Sequence, residues 1–352
     1  MIGVCGFVNS GSSAVCDLLK EYDDAIVLDN FELSIAIVPD GLETLEFHLM
    51  HNVSKYMSSN VAIERFRRMI DALYRYRIDK ICGQGFARKA TDAYLDKIVQ
   101  LRWDGYGVMD KLLYPGKLRD YLLPKYHRFS RRTNSRFFKP DRRNPFERTM
   151  EFSIHPEGFL DASRDYMRQI IGGMAKGATE KKIIVDQPYA ANDPAKSFHF
   201  FDEPKAIIVD RDPRDCYIKA RDYQLYRGRK MPTLRVEDFI EYHSRLRADM
   251  PYKDPDARIL RVQFEDMIFH YDAACARIAA FAGLHDHARP KSLFVPEMSA
   301  ANVRLFEGRQ DLLEDIQKIE RALPEYLYDF NSAPHIEVQG KPFVGRSPLN
   351  RN

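Results

Sequence analysis

The opening stretch of the chain reads IGVCGFVNSGSS over residues 2–13. Residues 2–8 form a short apolar run that ends in a cluster of small residues, and Val15, Leu18 and Leu19 then recur at helical spacing. This order predicts a strand, a tight loop and a helix. A strand joined to a helix in this way is typical of the first unit of a parallel α/β sheet.

Strand and helix patterns alternate in the rest of the chain. Further strands are predicted at Ala25–Leu28, Lys182–Asp186, Lys205–Asp210 and Arg258–Phe264. Helices are predicted near Gly158–Gly172, at Pro213–Tyr223, at Tyr271–Gly283 and at Asp311–Phe330. Because two of these strands are each followed directly by a helix, the pattern predicts a parallel, doubly wound sheet.

The composition is that of an ordinary globular protein. The chain has 352 residues, 45% of them hydrophobic, and a formal net charge of +3, so its overall field favours no particular partner. Its five cysteines have no CxxC or CxH spacing, which speaks against a zinc site or a disulfide framework. No run approaches the roughly 18 apolar residues of a membrane helix, and we expect a cytoplasmic protein with no transmembrane segment.

The middle of the chain departs from the alternating pattern. Residues 42–150 carry apolar residues at helical spacing and are predicted to be a helical insertion in a single domain spanning 1–352. Within it, residues 117–148 hold eleven Lys and Arg against three Asp and Glu, with aromatic residues interleaved. This basic segment has three interpretations: a solvated face, a groove for an acidic polysaccharide or glycolipid, or a nucleic-acid contact. No nucleic-acid motif accompanies it, so nucleic acid ranks last.

The Gly-Ser loop, residues 6–13, resembles the nucleotide-triphosphate loop GxxxxGK[ST], with Ser12 in place of the lysine. Small residues let successive backbone N–H groups point inward, and the following helix N-terminus favours an anion. The loop thus predicts a phosphate site, although such a turn can also serve packing alone. Without the lysine, a kinase or ATPase would lose a contact to its β- and γ-phosphates.

The RDPRD segment, residues 211–215, follows the apolar strand 205–210. Asp212 can cap a helix that begins at Pro213, and this holds Arg211 at the carboxyl edge of the sheet, where open α/β folds bind ligands. A guanidinium there suits bidentate contact with a phosphate. The alternative is a surface ion pair between Arg211 and a neighbouring aspartate.

Together the two segments resemble the family of sulfotransferases that use 3′-phosphoadenosine 5′-phosphosulfate (PAPS), in its carbohydrate-directed, bacterial-like branch. Residues 261–267 (RVQFEDM) and 278–284 (IAAFAGL) also look like that family's strand, turn and helix. The resemblance covers 1–32 and 182–330. It implies a three-layer, doubly wound parallel α/β sheet of the P-loop nucleoside triphosphate hydrolase type, with 42–150 shaping the acceptor site.

The resemblance also implies which residues bind the cosubstrate, whose product is adenosine 3′,5′-bisphosphate. Those for the 5′ end are Asn9, Ser10, Gly11, Ser12 and Ser13, and those for the 3′-phosphate are Arg211 and Lys219. Two positions depart from the family: Asn9 stands where a basic residue is usual, and Lys219 where a serine is common. A lysine can serve a phosphate as a point charge. No metal is required.

A hydroxyl acceptor needs a general base within hydrogen-bond reach. In carbohydrate-directed relatives this is often a glutamate just after the second strand, so Glu32 is the candidate, followed by Asp29 and then His155. Gln187, after the strand 182–186, could donate a hydrogen bond to the sulfate. The acceptor is expected to be a neutral or acidic carbohydrate or glycolipid, and the sequence does not indicate the oligomeric state.

Two other functions remain open at this point. One is a P-loop kinase acting on a small metabolite, which the missing lysine disfavours. The other is a non-catalytic protein that binds nucleotides or polyanions on the same fold, and Asn9 is the residue that favours it.

Overall fold

A computed structural model describes residues 1–52, 54, 58–105, 109, 121–122, 125–126, 128–129, 147–178, 180–227, 231–248, 256–339 and 341–342. The chain divides into two compact units, one of residues 1–34 and 175–352 and the other of residues 35–174. The predicted insertion, 42–150, falls within the second unit. Most of the basic segment 117–148 lies outside the described residues.

The strands of the described residues are β1 (Ile2–Gly6), β2 (Ala25–Leu28), β3 (Leu101–Gly105), β4 (Arg148–Phe152), β5 (Lys182–Asp186), β6 (Lys205–Asp210) and β7 (Ile259–Gln263). The α-helices are α1 (Ser12–Leu19), α2 (Leu42–Glu46), α3 (Ser58–Met69), α4 (Arg75–Cys82), α5 (Phe86–Ile98), α6 (Phe159–Met174), α7 (Pro213–Arg227), α8 (Val236–Arg247), α9 (Phe264–Phe269), α10 (Tyr271–Ala282), α11 (Pro296–Ser299) and α12 (Leu313–Ala322).

The first unit is built on a parallel sheet, which confirms the α/β fold class predicted from the sequence. The strand order is β2-β5-β1-β6-β7, and every pair in it is parallel. The chain leaves β1 toward β2 on one side and later places β6 on the other. The carboxyl end of β1 is therefore a switch point, the place where doubly wound sheets form their ligand crevice.

One face of this sheet carries the larger core. Val4, Ile207 and Val262 pack there against α1 and α10, which contribute buried residues such as Leu18 and Ile278. On the opposite face, the ring of Tyr189 lies so close to Gly3 that a Cβ there would meet it at 2.5 Å. The two-sided burial explains why these strands read as continuous apolar runs rather than as alternating ones.

The second unit combines helices with a small antiparallel sheet. In its core Tyr94 of α5 stacks on Tyr166 of α6 with ring centroids 4.9 Å apart, and both hydroxyls are hydrogen-bonded. Strands β3 and β4 pair antiparallel. The Glu151 carboxylate of β4 accepts two hydrogen bonds from Arg67 and one from Arg102, so the ion pairs tie α3 to this sheet.

Two sequence predictions need correction here. The segment 42–150 is not helical throughout, since β3 begins at Leu101, a residue assigned to a helical pattern from its spacing; α5 ends at Ile98 because Val99 is already extended. The last helix, predicted at Asp311–Phe330, is α12 at Leu313–Ala322. It stops there because Pro324 cannot continue a helix and disfavours the helical conformation of the residue before it.

Candidate functional site

The Gly-Ser loop turns between β1 and α1 through two left-handed residues. Asn9 has φ 66° and Gly11 has φ 96°, and the Ser10 N–H donates to the Phe7 carbonyl at 3.0 Å. Position 11 requires glycine for two reasons. Its φ is one that side chains rarely adopt, and a Cβ there would lie 2.5 Å from the Phe264 ring. Helix α1 then starts at Ser12, and its first N–H groups and dipole point at the loop.

Gln187 braces this loop from the end of β5. Its Oε1 accepts a hydrogen bond from the Gly6 N–H at 3.2 Å, and its Nε2 donates to Ser12 Oγ at 3.1 Å. Its own backbone N–H donates to the Val4 carbonyl. The carboxamide therefore holds the loop in shape, and the predicted contact from Gln187 to a sulfate stays a prediction.

Arg211 lies directly beside the loop, because β6 is the neighbour of β1. Its side chain is 1% exposed. Nη1 donates to the Asn9 carbonyl at 3.1 Å and Nη2 donates to the Asn302 carbonyl, while Nε is buried without a partner. The nearest carboxylate contact is a distant one, 3.9 Å to Asp215. Neutral oxygens thus make the closest contacts to the guanidinium, and Arg211 is buried rather than being the surface ion pair considered from the sequence.

Lys219, two turns further along α7, brings a second cation to the same place. Its Nζ donates to Asn302 Oδ1 at 3.3 Å. Burial, and then the neighbouring Arg211 guanidinium, lower the pKa of Lys219 to about 7. Asn302 thus contacts both cations, through its carbonyl and its side chain, and an anion bound here would draw a proton to Lys219.

The acidic residues around the cations bond mainly to backbone. Asp212 caps α7 by accepting the Arg214 N–H at 2.8 Å. Asp215 accepts the N–H groups of Arg304 and Leu305 at 2.8 and 2.7 Å, and burial raises the pKa of its carboxyl to about 7. Arg214 forms ion pairs with Asp212 and Glu320 and stacks on an aromatic ring. Arg214 therefore has a structural role.

A small cavity opens between α1, α7 and the segment 293–302. Its polar lining consists of Ser13, Asp17, Arg211, Lys219, Ser299 and Asn302, and its apolar side consists of Phe264, Leu293, Phe294, Val295 and Met298. Its volume is about 50 Å³, well below the ~300–1,000 Å³ of pockets that enclose small ligands. A ligand of nucleotide size would therefore fill it with one end only.

Two of the three candidates for a general base, Glu32 and Asp29, follow β2 of the parallel sheet. Glu32 is exposed and follows β2; its neighbour Leu33 donates its N–H to the Asp186 carbonyl at the end of β5. Asp29 forms an ion pair with Lys20 at 2.5 Å. Because the Asp29 carboxylate is already held by Lys20 while Glu32 is exposed, the geometry favours Glu32 as the group that an acceptor can reach. His155 is exposed and lies in the second unit.

His285 is exposed, whereas His287 is partly buried. The His287 ring stacks on Tyr22 with centroids 4.2 Å apart, and its Nε2 lies 2.9 Å from the Glu21 carboxylate. Among the residues that the structure describes, no group of three His, Cys, Asp or Glu side chains could hold a metal. In the same described part of the chain, no helix has the length and apolar character needed to cross a membrane.

Sequence reasoning missed Asn302 and the apolar side of the cavity. Asn302 lies in a 3₁₀ turn, Ala300–Asn302, within an irregular stretch that has neither helical nor strand periodicity. Nothing in its local sequence distinguishes it from any other buried asparagine. It contacts Arg211, 91 positions earlier in the sequence, and Lys219, 83 positions earlier.

No family model and no curated protein sequence matches the chain. Several solved structures are similar to it, among them the following three. The sulfotransferase domain of the Synechococcus PCC 7002 olefin synthase has 13% identity and a TM-score of 0.38, covering 84% of this chain and 76% of that one. Sulfotransferase STF9 from Mycobacterium avium has 15% identity and a TM-score of 0.37, covering 97% and 78%.

Sulfotransferase STF1 from Mycobacterium tuberculosis H37Rv has 15% identity and a TM-score of 0.35, covering 82% of this chain and 69% of that one. All three are sulfotransferases, the family that the sequence motifs resemble. At such identities and TM-scores these similarities carry no argument about the chemistry of this chain, so its function must be argued from the residues of the site.

Proposed function

We propose that this protein transfers a sulfuryl group from PAPS to a hydroxyl of a carbohydrate-like acceptor. The observation that carries the proposal is the buried cation pair Arg211 and Lys219 beside the Gly-Ser loop. The loop and the α1 N-terminus offer one anion site, and the cation pair offers a second. A nucleotide with phosphate groups at both its 5′ and 3′ positions has one anion for each site, whereas a nucleoside triphosphate has no 3′ phosphate for the cation pair.

The proposed reaction is an in-line displacement at the sulfur atom of PAPS. The bond between sulfur and the bridging oxygen breaks, the acceptor oxygen bonds to sulfur, and its proton passes to a base. Negative charge grows on the departing phosphate, where the N–H groups of Ser12 and Ser13 and the α1 dipole would stabilise it. Glu32, at the same sheet edge, would take the acceptor proton. Gln187 would keep the loop in the geometry that this requires.

Calorimetric titration with three nucleotides tests the cosubstrate. Adenosine 3′,5′-bisphosphate should bind with a dissociation constant on the order of micromolar, AMP at least about tenfold more weakly, and ATP with Mg²⁺ no better than AMP. Lys219→Met should weaken binding of the bisphosphate and leave the affinity for AMP unchanged. Arg245→Ala is the matched control, since its side chain is 78% exposed and paired within α8. Preference for ATP–Mg²⁺ would instead establish a kinase.

The acceptor is tested by transfer of labelled sulfate from PAPS to a panel of neutral and acidic oligosaccharides, glycolipids and simple phenols. We expect transfer to a sugar hydroxyl, and Glu32→Gln should lower kcat about 10²-fold or more while leaving the bisphosphate affinity unchanged. Transfer to phenols alone would contradict the carbohydrate assignment.

A non-catalytic binding protein is the second candidate, and one observation favours it. Asn9 occupies the loop position of the usual cation, and its side chain contacts Met231, with Nδ2 4.0 Å from sulfur, rather than an ionic group. This function predicts tight bisphosphate binding with no sulfate transfer to any member of the acceptor panel. Asn9→Lys would then be expected to leave the chain inactive, whereas in an enzyme it should raise kcat.

A further inference from the structure

Glu21 is a carboxylate buried completely at the end of the first helical segment, two residues after α1. Its exposed fraction is 0%, and a buried carboxylate is unfavourable unless it is hydrogen-bonded. Oε1 accepts the N–H groups of Leu293 and Phe294, both at 2.8 Å. Oε2 accepts the Lys291 N–H at 3.0 Å and lies 2.9 Å from His287 Nε2.

The backbone that surrounds this carboxylate belongs to an irregular segment, residues 285–295. Lys291 has φ 59°, and the turn at this residue points its own N–H and those of residues 293 and 294 at one spot. Such a concave array of N–H groups binds anions in many proteins. Here the anion is a side chain of the same protein. Without it, these N–H groups would have no partner in a segment that lacks its own hydrogen-bond ladder.

The same segment forms the apolar side of the cavity. Leu293, Phe294 and Val295 line it together with Gly11 and Ser13 of the Gly-Ser loop. Glu21 thus fixes, by bonds to Leu293 and Phe294 themselves, two side chains against which the apolar part of a ligand must pack. Its backbone joins the contact as well, since the Arg289 N–H donates to the Glu21 carbonyl.

We infer that Glu21 is a positioning residue for the nucleotide: it holds the 291–295 segment as the cavity wall that contacts the base and ribose. This rests on the proposed function for the identity of the ligand. It assigns Glu21 no contact with the ligand and none with its phosphates. Loss of the carboxylate should therefore weaken the binding of ligands that have a base and should not change the binding of anions that have only phosphate groups.

Glu21→Gln tests the inference with little change in shape. Its amide oxygen can still accept from Leu293 and Phe294, but its NH₂ group meets the Lys291 N–H, a donor. Asp23→Asn is the matched control: Asp23 also faces this segment, through Arg289 at 3.4 Å, but its side chain is 58% exposed. Hydrogen exchange by mass spectrometry follows peptides over 287–296, and calorimetry measures adenosine 3′,5′-bisphosphate and inorganic pyrophosphate.

For Glu21→Gln we expect exchange at 291–294 at least about tenfold faster, bisphosphate affinity about tenfold lower, and pyrophosphate affinity changed less than twofold. Asp23→Asn should match the wild type in all three measurements. Unchanged exchange would overturn the role of the carboxylate in holding the segment. Faster exchange with an equal loss of affinity for the bisphosphate and for pyrophosphate would show a general structural role and overturn the inference. If the wild type binds no bisphosphate, the proposed function fails, and the nucleotide-positioning inference fails with it, while the exchange result still reports the Glu21 contact.

Discussion

Bisphosphate binding should be coupled to protonation of Lys219, and this can be measured without an acceptor. Burial and Arg211 lower the pKa of Lys219 to about 7 in the unliganded protein. A phosphate dianion placed beside it would raise that pKa toward its ordinary value of about 10.4. The protonated form is the one that binds, so above pH 7 the protein must take up a proton as the ligand binds.

The magnitude follows from the titration of one group. At pH 8, about nine-tenths of Lys219 is neutral before binding, so complex formation should take up close to one proton. The affinity should fall about fivefold between pH 7 and pH 8 and about tenfold between pH 8 and pH 9, which approaches 1.36 kcal/mol per pH unit. The second ionisation of the phosphate, near pH 6, is essentially complete over this range and adds little to the slope.

Calorimetry in two buffers of different ionisation enthalpy, such as HEPES and Tris, gives the proton uptake directly. Lys219→Met should bind more weakly than the wild type at pH 7, should take up no proton, and should have a nearly flat affinity between pH 7 and pH 9. The bisphosphate affinities of the wild type and of Lys219→Met should therefore converge as the pH rises. A wild-type affinity that is equally flat, with no proton uptake at pH 8, would refute the reasoning.

Three further changes probe the surroundings of the cation pair. Asn302→Asp puts a carboxylate of nearly the same shape against Lys219 and should weaken binding of the bisphosphate at least about tenfold in the same titration, whereas tighter binding would contradict the assigned geometry. Gln187→Leu removes the brace on the Gly-Ser loop, so AMP and bisphosphate affinities should fall by one common factor; a loss confined to the bisphosphate would count against a role at the loop. Gly11→Ala brings a methyl group against Phe264 at a left-handed φ and should lower the free energy of unfolding by about 1–3 kcal/mol in urea titrations, with wild-type stability as the contrary result.

The parallel sheet could be predicted from the sequence because its strands are buried on both faces. Such strands are short continuous apolar runs, and Lys182–Asp186 and Lys205–Asp210 have the bounds in the structure that the sequence predicts. Strands β3 and β4 could not be recognised in the same way. β3 is mostly exposed along its length, and its residues carry neither an apolar run nor a regular alternation, so the helical spacing of the preceding residues was extended too far.

The site could be predicted only in part, for a related reason. Arg211 has a local cause for its position, a strand end followed by a capped helix start, and a local cause can be read from consecutive residues. Asn302 and Glu21 act through contacts to residues far away in the sequence, in segments without periodicity. Lys219 lies between these cases: its position on the helix follows from spacing, but its lowered pKa depends on burial that only the packed structure provides.

The arrangement of oxygens in the site explains how a loop without a lysine can still offer a strong anion site. Carboxylates are abundant here, yet Asp215 is hydrogen-bonded to backbone N–H groups, and Asp212 to a backbone N–H and to the Arg214 side chain. The two cations are oriented mainly by uncharged oxygens instead, from Asn9 and Asn302. If Asp212 and Asp215 instead contacted Arg211 and Lys219 directly, they would form closer ion pairs, and the site would have little net charge. Because the carboxylates are hydrogen-bonded in this way, the positive charge of β6 and α7 remains for the ligand, beside the N–H groups of the Gly-Ser loop.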